Sequence, residues 1–129
     1  KKFDAIAINC NSVKVQILRV VAPPEGFIEG SKFMTRNVLM AKRGQAGKVM
    51  DVMLRWRESM EIKPLLTTPL GGSLDVVRAT VAFPSLEAVA EAGQNIATNP
   101  EFQGFRDELA ELTNGAFRSI STIVARRTP

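Results

Sequence analysis

Two arginines stand in runs that are otherwise apolar. Arg78 is flanked by Val76, Val77, Ala79 and Val81, and Arg118 occupies a similar place in the last β-favouring run, Ala116 to Ala125. A guanidinium carried into an apolar layer needs a partner, because an unpaired charge away from water is costly. Asp75 or an acid from a partner subunit would satisfy either arginine structurally. An arginine left unpaired beside a cavity would instead suit a carboxylate, phenolate or enolate ligand.

Other residues bear on chemistry mainly by what they exclude. The chain has no histidine and no tyrosine, so the side chain that titrates near neutral pH and the phenolic acid are both missing. Ser-His-Asp and Cys-His catalysis are therefore excluded. Zinc would have to be held without imidazole and haem without its usual axial ligand, so no metal and no organic cofactor is expected. Cys10 has no histidine to activate it and reads as a small buried hydrophobe. Gly44-Gln-Ala-Gly47-Lys48 is too short for a phosphate loop and has no Ser or Thr after the lysine. Trp56, the only tryptophan, lies on the apolar stripe of a helical segment, where it fills core or roofs a pocket between helix and sheet.

Composition sets the frame for these residues. At 129 residues, 45% hydrophobic and 23% charged, the chain reads as one ordinary globular domain with a sizeable core. The net charge of +4 comes from the N-terminal third, where residues 1–43 carry eight Lys/Arg against three Asp/Glu. These cations are scattered and have no aromatic stacking platform among them, so the pattern does not favour a nucleic-acid partner. A single cysteine precludes an intramolecular disulfide, and no apolar run approaches the ~18 residues of a membrane span; the expectation is a cytoplasmic protein with no membrane partner. The chain begins without an initiator Met, which leaves room for a longer native N-terminus.

The elements follow from periodicity and breakers. Phe3–Asn9 and Val13–Ala22 read as short strands, and Pro23-Pro24 then breaks the pattern before a loop over 27–32. Met34–Lys42 alternates as a strand. After the turn Arg43–Gly47, the spacing of Val49, Met53, Trp56 and Met60 predicts an amphipathic helix ending near Glu61, with Lys48, Asp51, Arg55 and Glu58 outside. Pro64 and Pro69 assign Lys63–Leu70 to an edge or bulged strand, and a Gly71-Gly72 turn leads into the strand Leu74–Phe83. Ser85 is an N-cap with Glu87 in the first turn, and Asn99-Pro100-Glu101 opens a further helix that turns Phe102, Phe105, Leu109 and Leu112 inward. Asn114-Gly115 is read as that helix's stop, and Asp107, Glu108 and Glu111 as its solvated face.

From Met34 onward the order is β-α-β-β-α-(α)-β, the split pattern of a ferredoxin-like α+β sheet with helices on one face. Here the sequence resembles a known family. Asn37-Val-Leu-Met-Ala-Lys-Arg-Gly44, the amphipathic helix after it, and the stretch from Ser85-Leu-Glu to Asn99-Pro-Glu-Phe102 look like the dimeric α+β barrel superfamily, notably its antibiotic-biosynthesis-monooxygenase-like and NIPSNAP-like members. The resemblance covers about residues 34–125. It divides the chain into an N-terminal β-rich extension, 1–33, and a ferredoxin-like domain, 34–129.

The resemblance implies a homodimer in which the open faces of two sheets meet, and the strands agree. Val76, Thr80 and Ala82 alternate with Val77, Ala79, Val81 and Phe83, and neither set reads as a solvated face. The N-terminal extension could cover the second face as well. The resemblance also singles out Asn37: related monooxygenases have an asparagine on the first strand seven residues ahead of the turn glycine, the spacing of Asn37 and Gly44. Its amide would hydrogen-bond a ligand carbonyl or an oxygen intermediate, or simply satisfy backbone. The candidate ligand-binding set is thus Asn37, Trp56, Arg78 and Arg118. One function class is a cofactor-independent monooxygenase-like or cyclase-like enzyme, acting on a small aromatic or polyketide-like anion that supplies its own carbanion. The other is a non-catalytic dimeric binding or assembly module.

Overall fold

The computed structural model describes residues 16–26 and 29–124. Five antiparallel strands form one sheet in the order β1-β3-β4-β2-β5. They are β1 (Leu18–Ala22), β2 (Phe33–Ala41), β3 (Leu65–Pro69), β4 (Val76–Phe83) and β5 (Thr113–Thr122). The helices are α1 (Ala46–Glu58), α2 (Leu86–Thr98) and α3 (Gln103–Leu112), with a 3-10 turn at Pro100–Phe102 between the last two. Strands β5-β2-β4-β3 with α1 and α2 make the ferredoxin-like α+β unit, and β1 extends it beside β3.

The helix-facing side of the sheet supplies Leu66, Val77 and Ala79 to the core. From α1 come Val49, Val52, Met53 and Trp56, all buried as their helical spacing requires, and from the last turn and helix come Phe102 and Leu109. Lys48, Asp51, Arg55 and Glu58 lie exposed on the other side of α1.

Local chemistry sets the element boundaries. Gly44 adopts φ +78°, the left-handed conformation that the turn into α1 demands, and its N–H donates to Asp75 Oδ1 at 3.1 Å. Helix α1 stops at Glu58, before the expected Glu61, and Lys63 Nζ donates to the carbonyls of Arg57, Glu58 and Met60 at 3.1 to 3.2 Å. A cation there complements both the orphan carbonyls and the helix dipole. Ser85 Oγ accepts from Ala88 N–H at 3.1 Å, and Asn99 Oδ1 accepts from Glu101 N–H at 2.9 Å, so both caps are in place.

Three expectations are corrected. Strand β3 is an inner strand, flanked by β1 and β4; its prolines sit just before it and at its last position, where neither interrupts the ladder, and the register shift lies in β1 between Val20 and Ala22. Asn114-Gly115 does not close α3. The helix ends at Leu112, Thr113 turns to extended backbone, and Asn114 and Gly115 already belong to β5, because that segment pairs with Met40 and Ala41 at the end of β2. Gln16 and Ile17 precede the strand, which runs Leu18–Ala22, and residues 1–15, with Phe3–Asn9, Cys10 and the start of Val13–Ala22, lie outside the described residues.

Candidate binding cavity

Strands β2 and β5 pair with Asn37 directly opposite Arg118. Residues opposite one another in an antiparallel ladder share a face, here the side toward the helices, with Leu39 and Ala116 next along. Arg118 Nε donates to Asn37 Oδ1 at 2.7 Å. An arginine can only donate, so the Asn37 carbonyl oxygen must face it, and the amide NH2 is the end of that side chain left for a ligand.

A glycine in α2 makes room for the guanidinium. A Cβ built on Gly93 would stand 2.9 Å from Arg118 Nη1, so any larger residue would push the group aside. Glycine in a helix interior costs about 1 kcal/mol relative to alanine, and here it lets the backbone approach Arg118. No described acid forms an ion pair with Arg118; the salt bridges present involve Arg55 and Arg57.

Trp56 forms the apolar wall of the same space. Its ring stacks on Phe105 with centroids 5.7 Å apart at 8°, and meets Phe102 edge-on at 5.4 Å and 63°. The indole Nε1 is buried without an acceptor. Between these groups lies a half-open cavity of about 420 Å³ lined by Asn37, Trp56 and Arg118 together with Met53, Met60, Ala79, Ile96 and Leu109. Its polar groups are thus an amide and a guanidinium on one strand pair, set against hydrocarbon and one indole. Among the described residues no three His, Cys, Asp or Glu come together as metal ligands.

The chain has the α+β fold of solved NIPSNAP family proteins and of a candidate antibiotic biosynthesis monooxygenase. A NIPSNAP family protein of unknown function from Agrobacterium tumefaciens superposes with TM-score 0.65 at 18% identity, over 80% of this chain and 96% of its own. A second from the same organism gives TM-score 0.64 at 14% identity, covering 75% and 90%. A candidate antibiotic biosynthesis monooxygenase from Chloroflexus aurantiacus gives TM-score 0.55 at 14% identity, covering 76% and 98%. No protein-family model and no curated protein matches the sequence.

Within this NIPSNAP-like fold three of the four residues singled out from sequence converge: Asn37, Trp56 and Arg118 line one cavity. Arg78 does not join them. It pairs opposite Val38, one position out of step with Asn37, and so projects from the open face of the sheet, where its Nη2 donates to Gln16 Oε1 at 2.9 Å. Neither arginine is paired with Asp75, whose carboxylate is engaged at Gly44. Burial, and after it the neighbouring Arg36, pull the Arg78 guanidinium below its ordinary pKa.

Sequence reasoning passed over Gly93 and Arg57. Arg57 is buried, donates to the carbonyl oxygens of Pro23 and Pro64, and lies 3.6 Å from both Glu25 and Glu58. It ties α1 to the chain leaving β1 and to the start of β3. The signal for Gly93 was its placement inside an amphipathic helix, where a glycine needs a packing reason.

Proposed function

We propose that this protein binds a small aromatic or polyketide-like anion in the cavity between helices and sheet. Arg118 and the Asn37 amide would hold its charged oxygen, and Trp56, Met53 and Leu109 its apolar body. The observation that carries this reading is the Arg118–Asn37 hydrogen bond: it sets a guanidinium without a described carboxylate partner at an otherwise apolar cavity. The volume of about 420 Å³ suits a molecule of two or three fused rings.

The cavity lining contains no His, Cys, Asp, Glu or Lys. Chemistry in it therefore falls to a substrate acidic enough to form its own carbanion, whose enolate or phenolate oxygen Arg118 and Asn37 would stabilise. The likeness to a candidate antibiotic biosynthesis monooxygenase supports that activity, with dioxygen as the second reactant. Titration with 1-hydroxy-2-naphthoate, followed by calorimetry and by quenching of Trp56 fluorescence, tests the site. Saturable binding that Arg118→Met weakens roughly ten-fold or more supports it, and unchanged affinity in a folded Arg118→Met protein refutes it. Dioxygen uptake with anthrone, whose methylene ionises readily, separates an enzyme from a binding protein.

The second reading is a non-catalytic homodimeric module. It draws on the open sheet face, where Met40 and Phe117 are 38% and 56% exposed. Such a face favours a second copy packed sheet to sheet, common to both readings. Sedimentation at micromolar concentration is expected to give the dimer mass, and a monomer there would remove the dimer from both.

A further inference from the structure

The face of the sheet turned away from the helices carries a charge that nothing described neutralises. Arg36 of β2 pairs opposite Thr80, and Arg78 of β4 opposite Val38, so the two arginines are diagonal neighbours on that face. Around them stand Val38, Val76, Thr80, Thr67 and Ser119. No carboxylate occupies a strand position on that face, and Glu25, beyond the strands, lies against Arg57. Among the described residues Arg36 Nε and Arg78 Nη1 are both buried without an acceptor, and the hydrogen bond formed by these side chains there is that from Arg78 to the neutral Gln16.

Beside Arg78 the sheet is hollow. A cavity of about 540 Å³ lies between Arg78, Gln16, Val76 and the Gly71-Gly72-Ser73 turn, whose backbone N–H groups and serine hydroxyl are further donors. Two guanidinium groups held close together repel one another, and the buried nitrogen of each has no acceptor among the described residues. Among the described residues, the strands of a second copy packed on this face would add two more arginines and no carboxylate.

We propose that the open face of the sheet holds a small oxyanion, a phosphate or a carboxylate, on Arg78 in the cavity beside the Gly71–Ser73 turn, with Arg36 adding positive charge from the neighbouring strand. The planar donor fork of arginine matches both groups. The site is separate from the Asn37–Arg118 cavity, which lies on the other side of the same sheet, so either can fail without the other.

The test is calorimetric and thermal titration of the intact chain with inorganic phosphate and, separately, with succinate, in a zwitterionic buffer held at constant ionic strength with sodium chloride. At least one of the two anions is expected to bind saturably and raise the melting temperature. Arg36→Met and Arg78→Met should each weaken that binding ten-fold or more, while Arg118→Met leaves it within two-fold. A response to phosphate alone assigns a phosphate site, and one to succinate alone a carboxylate site. If Arg78→Met fails to fold, Arg36→Met is read against Arg36→Lys, which keeps the charge and should retain binding within a few-fold. No response beyond chloride, undiminished binding in folded Arg36→Met, or loss of binding in Arg118→Met would each overturn the proposal.

Discussion

Arg118 Nε donates to Asn37 Oδ1 at 2.7 Å across the β2–β5 ladder, joining residues 81 positions apart in sequence. The bond orients the guanidinium but leaves its charge uncompensated. Arg118 is itself exposed, so its removal should leave stability almost untouched. Arg118→Met is expected to keep the melting temperature within about 2 °C while weakening binding of 1-hydroxy-2-naphthoate roughly ten-fold or more, the worth of a charge-assisted hydrogen bond of about 1.5 to 3 kcal/mol. Thermal denaturation and calorimetry on one preparation check both halves.

Gly93→Ala should separate stability from binding. The substitution favours helix α2 by about 1 kcal/mol, yet its Cβ would come within 2.9 Å of Arg118 Nη1 and displace the guanidinium. The expected protein is as stable as the parent or more so, and binds the same naphthoate more weakly. Tighter or equal binding would show that the contact at Gly93 does not position Arg118.

Phe102 is 5% exposed and packs its ring edge-on to Trp56, whereas Phe105, stacked on the same indole, is only half-buried. Phe102→Ala should cost about 3 to 5 kcal/mol and Phe105→Ala less, because a partly exposed site leaves a smaller cavity behind. Urea denaturation followed by Trp56 fluorescence gives both values. Equal losses would contradict the burial order.

Arg57 donates to the backbone carbonyls of Pro23 and Pro64 from a side chain 7% exposed. Arg57→Met should destabilise by about 3 kcal/mol, since it strands two carbonyl acceptors and frees the segment that leaves β1 and the one that enters β3. The effect should appear in the denaturation midpoint.

The amphipathic stripe of α1 and the caps at Ser85 and Asn99 were legible because they depend on neighbours three or four residues away. The end of α3 was not. Asn114-Gly115 is a good local stop signal, but pairing with β2 recruited both residues into β5. Prolines 64 and 69 likewise look like marks of an edge strand, whereas β1, from a part of the chain distant in sequence, covers that edge.

The candidate site divides along the same line. Sequence alone determined that Asn37, Arg78 and Arg118 lie on strands, that Trp56 faces inward, and that no histidine or tyrosine is present to catalyse. Which of these meet was decided only by the register between strands. Alternation has a period of two, so a one-residue difference in pairing sends a side chain to the opposite face. Asn37 falls opposite Arg118 and Ala79, while Arg78 falls opposite Val38. That single step put Arg118 into the cavity under the helices and left Arg78 beside Arg36 on the open face, because register is set by hydrogen bonds between segments that no local pattern can align.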